Sequence, residues 1–210
     1  MTGALVAGLS ALELDTDLPA RAKLSQYIAL LDKWNRTHNL TAIRDPEQMV
    51  THHLLDSLAV LSHLPEAGRL RVLDLGSGGG LPGIPLAITR QDWQVVLLDS
   101  NHKKTAFLRQ ACIELELANV EVCAVRVQDY APELLFDVVI SRAFSDLATF
   151  ASLAAPLVAR GGRLVAMKGL FPHEELQQLP QDVVLMDVPA VRVPGLDVQR
   201  HLVIMERRES

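Results

Sequence analysis

Residues 71–83 read Arg-Val-Leu-Asp-Leu-Gly-Ser-Gly-Gly-Gly-Leu-Pro-Gly, an apolar run that continues into a glycine-rich turn. The apolar run predicts a short buried strand that carries one acid, Asp74, near its end. Because glycine has no Cβ, Gly76, Gly78 and Gly80 allow a tight turn and a close approach of the backbone to a ligand. A strand followed by such a turn and a helix start predicts a site for a nucleotide-like ligand.

A second acid follows the next apolar run. Residues 94–99 read Gln-Val-Val-Leu-Leu-Asp, so this strand also ends in a carboxylate, nineteen residues after Gly80. An acid at this distance from a glycine turn suits the hydroxyl pair of a ribose. Asp99 could instead cap the helix that follows, although Ser100 and Asn101 are adequate caps themselves. We expect Asp99 to bind the ligand.

Two ligands fit the glycine pattern. Gly78, Gly80 and Gly83 match the Gly-x-Gly-x-x-Gly of nicotinamide dinucleotide sites, whereas Asp74 and the glycines at 76, 78 and 80 match the acid and Gly-x-Gly-x-Gly that bind S-adenosylmethionine. A carboxylate beside the first glycine suits an ammonium group and would repel a pyrophosphate. We therefore favour the methyl donor and keep a nicotinamide-dependent oxidoreductase as the alternative.

Length and composition favour one cytoplasmic α/β protein. The chain has 210 residues, and its apolar runs are too short to span a membrane. Its start lacks the pattern of a signal peptide, so we expect no membrane partner. Cys112 and Cys123 are expected to be buried free thiols, as in a reducing compartment. The net charge of −5 argues against a broad basic surface for binding nucleic acid but permits a local basic patch.

Helices and strands alternate from residue 71 onward. Two helices come first, at 19–38 and 46–63, because apolar residues recur there every three or four positions. The expected strands are 71–75, 94–99, 120–126, 137–142, 163–168, 183–193 and 200–207, and the helices between them are 82–90, 101–117, 146–159 and 172–179. This order predicts a mostly parallel sheet with helices on both faces. The short link at 194–197 predicts an antiparallel final pair at one edge, as in methyltransferases.

In several segments the chain resembles the bacterial 16S rRNA guanine-N7 methyltransferases, the glucose-inhibited division protein B family. The segments are Lys33-Trp34-Asn35, Asn39-Leu40-Thr41, His53-Leu54-Leu55-Asp56-Ser57, Asp74 to Gly83, Asp99-Ser100 with Lys103-Lys104, Ser141-Arg142-Ala143 and Lys168-Gly169. The resemblance implies a class I (Rossmann-like) methyltransferase fold with a seven-stranded sheet, an antiparallel last strand and an N-terminal helical extension. We expect the extension at 1–65 and the methyltransferase domain at 66–210. The resemblance also implies S-adenosylmethionine as donor and position 527 of 16S rRNA, in the small ribosomal subunit, as acceptor. A non-catalytic rRNA-binding assembly factor that kept this fold is a further alternative.

The resemblance implies roles for individual residues. The donor would be held by Asp74, Gly76, Gly78, Leu81, Asp99, Val127, Gln128 and Arg142. Arg142 would also position the reactants. RNA would be contacted by Asn39, His53, Lys103, Lys104 and Lys168. The family usually has Glu at the position of Gln128; a backbone contact with adenine survives that change, whereas a charge-dependent role does not.

The expected chemistry needs little acid–base catalysis. Guanine N7 has a free lone pair and no proton to lose, so positioning supplies most of the catalysis. His53, Asp56 and Ser57 share one helix face, but a hydrolase triad needs convergence in three dimensions. We reject that interpretation in favour of a packing network between helix and sheet or a patch that faces RNA. His52 and His53 lack a third ligand at metal spacing, so we expect no metal. We expect a monomer, and structural alternatives remain open for Arg142 (an ion pair) and for Lys103 and Lys104 (a solvated helix face).

Overall fold

A computed structural model of the protein describes residues 2–65 and 68–208. The helices are α1 (Thr2–Ala11), α2 (Leu18–His38), α3 (Pro46–Met49), α4 (Asp56–Leu58), α5 (Gly83–Thr89), α6 (His102–Glu114), α7 (Leu147–Ala154) and α8 (His173–Leu176). The strands are β1 (Arg71–Leu75), β2 (Gln94–Leu98), β3 (Val120–Cys123), β4 (Phe136–Arg142), β5 (Val158–Lys168), β6 (Val183–Asp187) and β7 (His201–Arg207). A π-helical segment, Val50–Leu55, joins α3 to α4.

The strands form one seven-stranded sheet in the order β3-β2-β1-β4-β5-β7-β6. Strands β1 to β5 are parallel, and β7 is antiparallel to both β5 and β6. The predicted antiparallel last strand is confirmed. Its pair with β6 lies at one edge of the sheet, as predicted, with β6 as the outermost strand. Chain order reverses between β1 and β4, which is where open α/β sheets bind ligands at the carboxyl ends of their strands.

Helices cover both faces of the sheet. Strand residues Val72, Leu97 and Ile140 pack on one face against α1 to α6, and alternate residues such as Leu73 and Phe136 pack on the other against α7. Side chains of a strand alternate between faces, so each strand contributes to both cores. The apolar run over 71–75 is buried on both sides for this reason, and Asp74 is buried with it.

The N-terminal helices share the first core with the sheet. Helix α1 is absent from the expected elements, although Leu5 and Leu9 are spaced for one helix face and are both buried. Helix α2 begins where Asp17 accepts a hydrogen bond from the backbone N–H of Ala20 (2.7 Å) and confirms the predicted helix. The expected boundary at 65/66 adjoins residues 66 and 67, outside the described ranges, so the division into two domains stays a prediction.

Several element boundaries differ from those expected. The predicted helix over 146–159 ends as α7 at Ala154, because Pro156 cannot continue an α-helix, and β5 begins earlier than expected, at Val158. Its pairing with β4 jumps from Val158 to Arg163, which leaves a bulge at the glycine pair 161–162. The predicted strand over 183–193 ends as β6 at Asp187, because Pro189 and Pro194 cannot donate ladder hydrogen bonds. The connection between the last two strands is therefore the loop 188–200, not a short turn.

Candidate active site

The glycine turn after β1 is held by the end of β2. The backbone N–H groups of Gly76 and Ser77 both donate to the carbonyl of Leu98, at 2.8 and 3.1 Å. Gly76 and Gly78 have φ angles of 76° and 58°, in the left-handed region that glycine tolerates best. A Cβ at Gly76 would meet no atom within 4 Å, so this backbone borders open space. The turn thus presents bare main chain at the carboxyl edge of the sheet.

Asp74 supports the turn from below. Its Oδ2 accepts a hydrogen bond from the backbone N–H of Gly83 at 2.8 Å, and its own carbonyl accepts one from the Ser77 hydroxyl at 2.8 Å. Within the described chain its Oδ1 is buried and has no partner. Burial raises the pKa of Asp74 to about 7, although the Gly83 N–H and Arg142 oppose that rise. The carboxyl group is therefore placed to shape the loop rather than to face solvent.

Asp99 lies at the mouth of the site. Its Oδ2 accepts a hydrogen bond from the Gly78 N–H at 2.9 Å and its Oδ1 accepts one from the Asn101 N–H at 2.8 Å. Asn101, not Asp99, caps α6, because its side chain accepts hydrogen bonds from the N–H groups of Lys103 and Lys104. Each carboxylate oxygen has a second lone pair, so Asp99 can still accept hydrogen bonds from a ligand.

An open cleft of about 310 Å³ lies at these strand ends. Its lining comprises Leu75, Gly76, Leu98, Asp99, Ser100, Val125, Arg126, Val127, Gln128 and Phe144. The cleft therefore brings together four of the residues expected to bind the donor: Gly76, Asp99, Val127 and Gln128. Gln128 is exposed in a short helical turn, Val127–Asp129. Strand β3 ends at Cys123, earlier than the strand expected over 120–126.

The other expected donor residues surround this cleft without lining it. Gly78 bonds to Asp99, and Leu81 is buried, with its N–H donated to the carbonyl of Ser77 at 3.1 Å. Asp74 lies beneath the turn. Arg142 points toward the N-terminal helices instead, where its Nη1 lies 3.1 Å from the His52 carbonyl and 3.4 Å from Asp56 Oδ2.

A left-handed residue separates Arg142 from the cleft. Ala143 has a φ of 62°, which is rare for a residue with a Cβ. The chain bends there, and Arg142 contacts the N-terminal helices whereas Phe144 lines the cleft. The ring of Phe144 makes an edge contact with Phe150 at 5.7 Å between centroids. Phe144, Ser100 and Arg126 were not expected in the site, although Ser100 and Arg126 directly adjoin expected site residues.

The residues expected to contact RNA are in different environments. Asn39 and Lys103 are exposed, and Asn39 accepts a hydrogen bond from Arg44 at 2.8 Å; Lys104 is half-buried. Lys168 forms an ion pair with Glu175 at 2.7 Å. His53 is buried, and its Nε2 lies 2.8 Å from the Thr41 hydroxyl. Burial, with the nearby charge of Arg142, lowers the pKa of His53 to about 4, so this ring is neutral at physiological pH.

His53, Asp56 and Ser57 do not form a triad. Asp56 is bound to Arg142 and to Arg200, whose Nε lies 2.8 Å from Asp56 Oδ1. The Ser57 hydroxyl is buried without a partner among the described residues. Arg200 is absent from the expected site residues, although it immediately precedes the last strand. These contacts agree with the interpretation of this segment as a packing network between helix and sheet.

The cysteines are less buried than expected. Cys112 and Cys123 are free and half-buried, and burial raises the pKa of each thiol to about 11. No group of three His, Cys, Asp or Glu side chains within 2–65 and 68–208 is arranged to hold a metal ion. Over the same residues, no helix combines the length and apolarity needed to cross a bilayer.

The fold is shared with known methyltransferase structures. TrmN from Thermus thermophilus superposes with a TM-score of 0.57 at 21% identity, over 72% of this chain and 48% of that one, so the match spans about half of TrmN. Coclaurine N-methyltransferase, solved with N-methylheliamine and SAH, gives a TM-score of 0.57 at 14% identity, over 79% of this chain and 58% of that one. At these identities the likeness concerns the fold alone.

Sequence comparison identifies the family. The family model GidB, described as rRNA small subunit methyltransferase G, matches residues 20–203. The "Ribosomal RNA small subunit methyltransferase G" of Chromobacterium violaceum is 56% identical over 204 residues, 97% of each chain. Its counterpart in Nitrosospira multiformis is 53% identical over 210 residues, 97% of this chain and 96% of that one. These matches do not favour a nicotinamide-dependent enzyme, and the chain belongs to the rRNA small subunit methyltransferase G family.

Proposed function

We propose that this protein transfers a methyl group from S-adenosylmethionine to N7 of a guanine in 16S rRNA, at position 527. The observation that carries the proposal is the cleft in which the half-exposed carboxylate of Asp99 lies beside the bare backbone of Gly76. The family match supports the reaction class and the rRNA substrate. We further propose a monomeric cytoplasmic enzyme with a helical extension at 1–65 and a methyltransferase domain at 66–210.

The residues of the cleft fit S-adenosylmethionine. A volume of about 310 Å³ is at the lower end of the range for small-molecule sites and suits a nucleoside. Asp99 has free lone pairs for the two ribose hydroxyls. Gly76 and Gly78 have no side chains that would fill the space above the turn, and Val127 with Gln128 supplies an apolar and a polar group for an adenine ring. Residues that match an acid, a bare turn and an adenine wall therefore lie around one cleft.

Catalysis rests on positioning. The bound donor supplies a methyl group already activated by a positively charged sulfur. Asp74 fixes the glycine turn through Gly83, and Asp99 fixes the same turn through Gly78, so both acids orient the donor site. Phe144 closes one wall of the cleft with an apolar ring. No group needs to remove a proton, because guanine N7 carries none, and holding the two reactants in line supplies most of the rate enhancement.

Methylation of unmodified rRNA tests the reaction. The protein is incubated with donor labelled in its methyl group and either protein-free 16S rRNA or assembled small subunits, both from cells that lack the modification. We expect label in the RNA and a primer-extension signal for N7-methylguanine at position 527. Label at another nucleotide would contradict the site of modification, and no label in either substrate would contradict the proposed function.

The donor site is tested by an Asp99→Ala variant. This change removes the acceptor for the ribose hydroxyls, so we expect calorimetry to show S-adenosylhomocysteine bound at least tenfold more weakly, a cost of about 1.4 kcal/mol or more. Asp129→Ala is the matched control, because Asp129 is an exposed acid in the turn beside the cleft but does not line it. Equal affinity of wild-type protein and Asp99→Ala would remove Asp99 from the site.

A further inference from the structure

Two arginines share one buried carboxylate beside the donor cleft. Asp56 is only 4% exposed, and its two oxygens lie 3.4 Å from Arg142 Nη1 and 2.8 Å from Arg200 Nε. The three residues come from α4, the end of β4 and the loop before β7. Two guanidinium groups on one carboxylate leave an excess positive charge, at a position that neither the glycine turn nor Asp99 explains.

The π-helical segment Val50–Leu55 gives this cluster its geometry. In an α-helix the N–H of Asp56 would bond to the carbonyl of His52. Here that N–H bonds to the carbonyls of Thr51 and His53 instead, and the His52 carbonyl accepts a hydrogen bond from Arg142 Nη1 at 3.1 Å. π-helical turns are rare and are frequently found at functional sites.

Both arginines keep donors for a ligand. Within residues 2–65 and 68–208, Nε and Nη2 of Arg142 and Nη2 of Arg200 donate to no protein group. Their side chains are 22% and 26% exposed, so they are fixed by the protein but reachable from solvent. The loop that ends at Arg200, including Arg192, also lines an open cavity of about 500 Å³ together with His201.

The position of the cluster favours the acceptor over the donor. The donor cleft lies over the ends of β1 to β4, whereas Arg200 lies at the start of β7, beyond β5 in the sheet order. Neither Arg142 nor Arg200 lines that cleft. Arginine binds phosphate through paired N–H groups, and a fixed pair is well suited to a backbone phosphate.

We propose that Arg142 and Arg200, held by Asp56, form a subsite for a backbone phosphate of the RNA next to the target guanine. Asp56 is a positioning residue that fixes both guanidinium groups. The proposal rests on the proposed function, since it requires an RNA acceptor. It adds Arg200 and Asp56 to the residues that bind or position the RNA, and it assigns Arg142 to an RNA phosphate.

Two substitutions at Arg200 separate charge from structure. Arg200→Gln and Arg200→Lys both remove the Nε bond to Asp56, but only the lysine variant keeps the positive charge. We measure binding to unmodified 16S rRNA over a range of salt concentrations, the KM for that RNA, and the affinity for S-adenosylhomocysteine. Arg90→Gln is the matched control, because Arg90 lies between α5 and the beginning of β2, away from the carboxyl ends of the strands, and packs over Trp93.

Arg200→Gln is expected to raise the KM and Kd for RNA about tenfold and to lower the slope of log K against log salt by about 0.7 to 1. Arg200→Lys is expected to keep the wild-type salt slope, and Arg90→Gln to match wild-type protein throughout. Donor affinity should stay within twofold in all variants, which also shows that they fold. Equal salt slopes for the lysine and glutamine variants would reduce Arg200 to a structural role and overturn the proposal. Weaker S-adenosylhomocysteine binding with unchanged RNA binding would also overturn it, in favour of a subsite for the donor's carboxylate.

Asp56→Asn tests the positioning role. The amide keeps the size of the side chain but removes the charge that fixes both arginines, so we expect a KM for RNA at least tenfold higher with donor affinity retained. An unchanged KM would contradict the role of Asp56. Failure of wild-type protein to methylate any RNA would instead refute the proposed function, so the two failures are distinguishable.

Discussion

The hydroxyl of Tyr27 joins helix α2 to the glycine turn. It is completely buried and donates to the carbonyl of Gly79 at 2.6 Å, and this burial raises the pKa of the phenol well above its usual value. Tyr27→Phe removes a single oxygen and leaves the ring in place. The Gly79 carbonyl, which is buried and has no other hydrogen-bond donor among the described residues, would then lose its partner.

An unsatisfied buried carbonyl costs about 1–3 kcal/mol, and the loss of one oxygen creates little additional cavity. We therefore expect Tyr27→Phe to lower the free energy of unfolding by about 2 kcal/mol, which corresponds to a fall in melting temperature of roughly 4–8 °C for a chain of this size. Because Gly79 lies in the turn that borders the cleft, we also expect S-adenosylhomocysteine to bind several-fold more weakly.

Urea unfolding followed by circular dichroism measures the first effect, and calorimetry measures the second. Tyr130→Phe is the matched control, since Tyr130 is only half-buried and packs beside Phe136 at 6.4 Å between ring centroids. We expect the control to lie within about 0.5 kcal/mol of wild-type protein. If Tyr27→Phe is no less stable than the control, the hydroxyl does not hold the turn and the reasoning is wrong.

Three further outcomes follow from buried groups. Gly83→Ala would place a Cβ 2.3 Å from Leu97 Cδ2 and 2.7 Å from Asp74 Oδ2, so we expect a loss of at least 2 kcal/mol in urea unfolding, and unaltered stability would contradict the packing described here. The pKa of His53 is lowered to about 4 in the folded protein, so the imidazole is protonated at a higher pH in the unfolded chain, and the free energy of unfolding falls as pH drops. Between pH 7 and 4.5 this loss is about 2 kcal/mol, and His53→Gln should remove it. The pKa of Asp74 is raised to about 7 in the folded protein, so its carboxyl group loses its proton at a lower pH in the unfolded chain, and the free energy of unfolding falls as pH rises. Between pH 5 and 8 this loss is about 3 kcal/mol, and an Asp74→Asn variant whose stability depends on pH as in wild-type protein would contradict the raised pKa.

Much of the fold was predictable because local pattern and global arrangement agree. The strands at β1, β2 and β4 are apolar runs bounded by turn residues, and α2 has both an apolar stripe and a capping acid at Asp17. Helix α1 was missed because its own apolar residues are distributed almost evenly around the helix, so the sequence shows little difference between a buried and an exposed face. The π-helical segment also has no sequence signal, since it depends on tertiary contacts such as the one between His52 and Arg142.

The donor side of the site was easier to predict than the acceptor side. Asp99 and Gly76 follow directly from parallel strands, whose carboxyl ends meet at one edge of the sheet. Arg200 lies at the beginning of a strand, and only the antiparallel direction of β7 brings that beginning to the same edge. A search for ligand-binding residues only at positions that follow a strand therefore misses Arg200, which precedes the antiparallel strand β7. The resemblance implied that His53 contacts RNA, but His53 is buried, with its ring nitrogens close to Thr41 and Arg142.

The left-handed backbone at Ala143 links the donor cleft to the arginine cluster. Holding a residue with a Cβ in this conformation costs about 1–3 kcal/mol, which the surrounding packing must offset. Arg142, which precedes Ala143, belongs to the proposed RNA subsite, and Phe144, which follows it, lines the donor cleft. A small rotation about this single alanine would move both groups together. A substitution that changes the backbone conformation of Ala143 should therefore disturb the donor cleft and the arginine cluster together, rather than one of them alone.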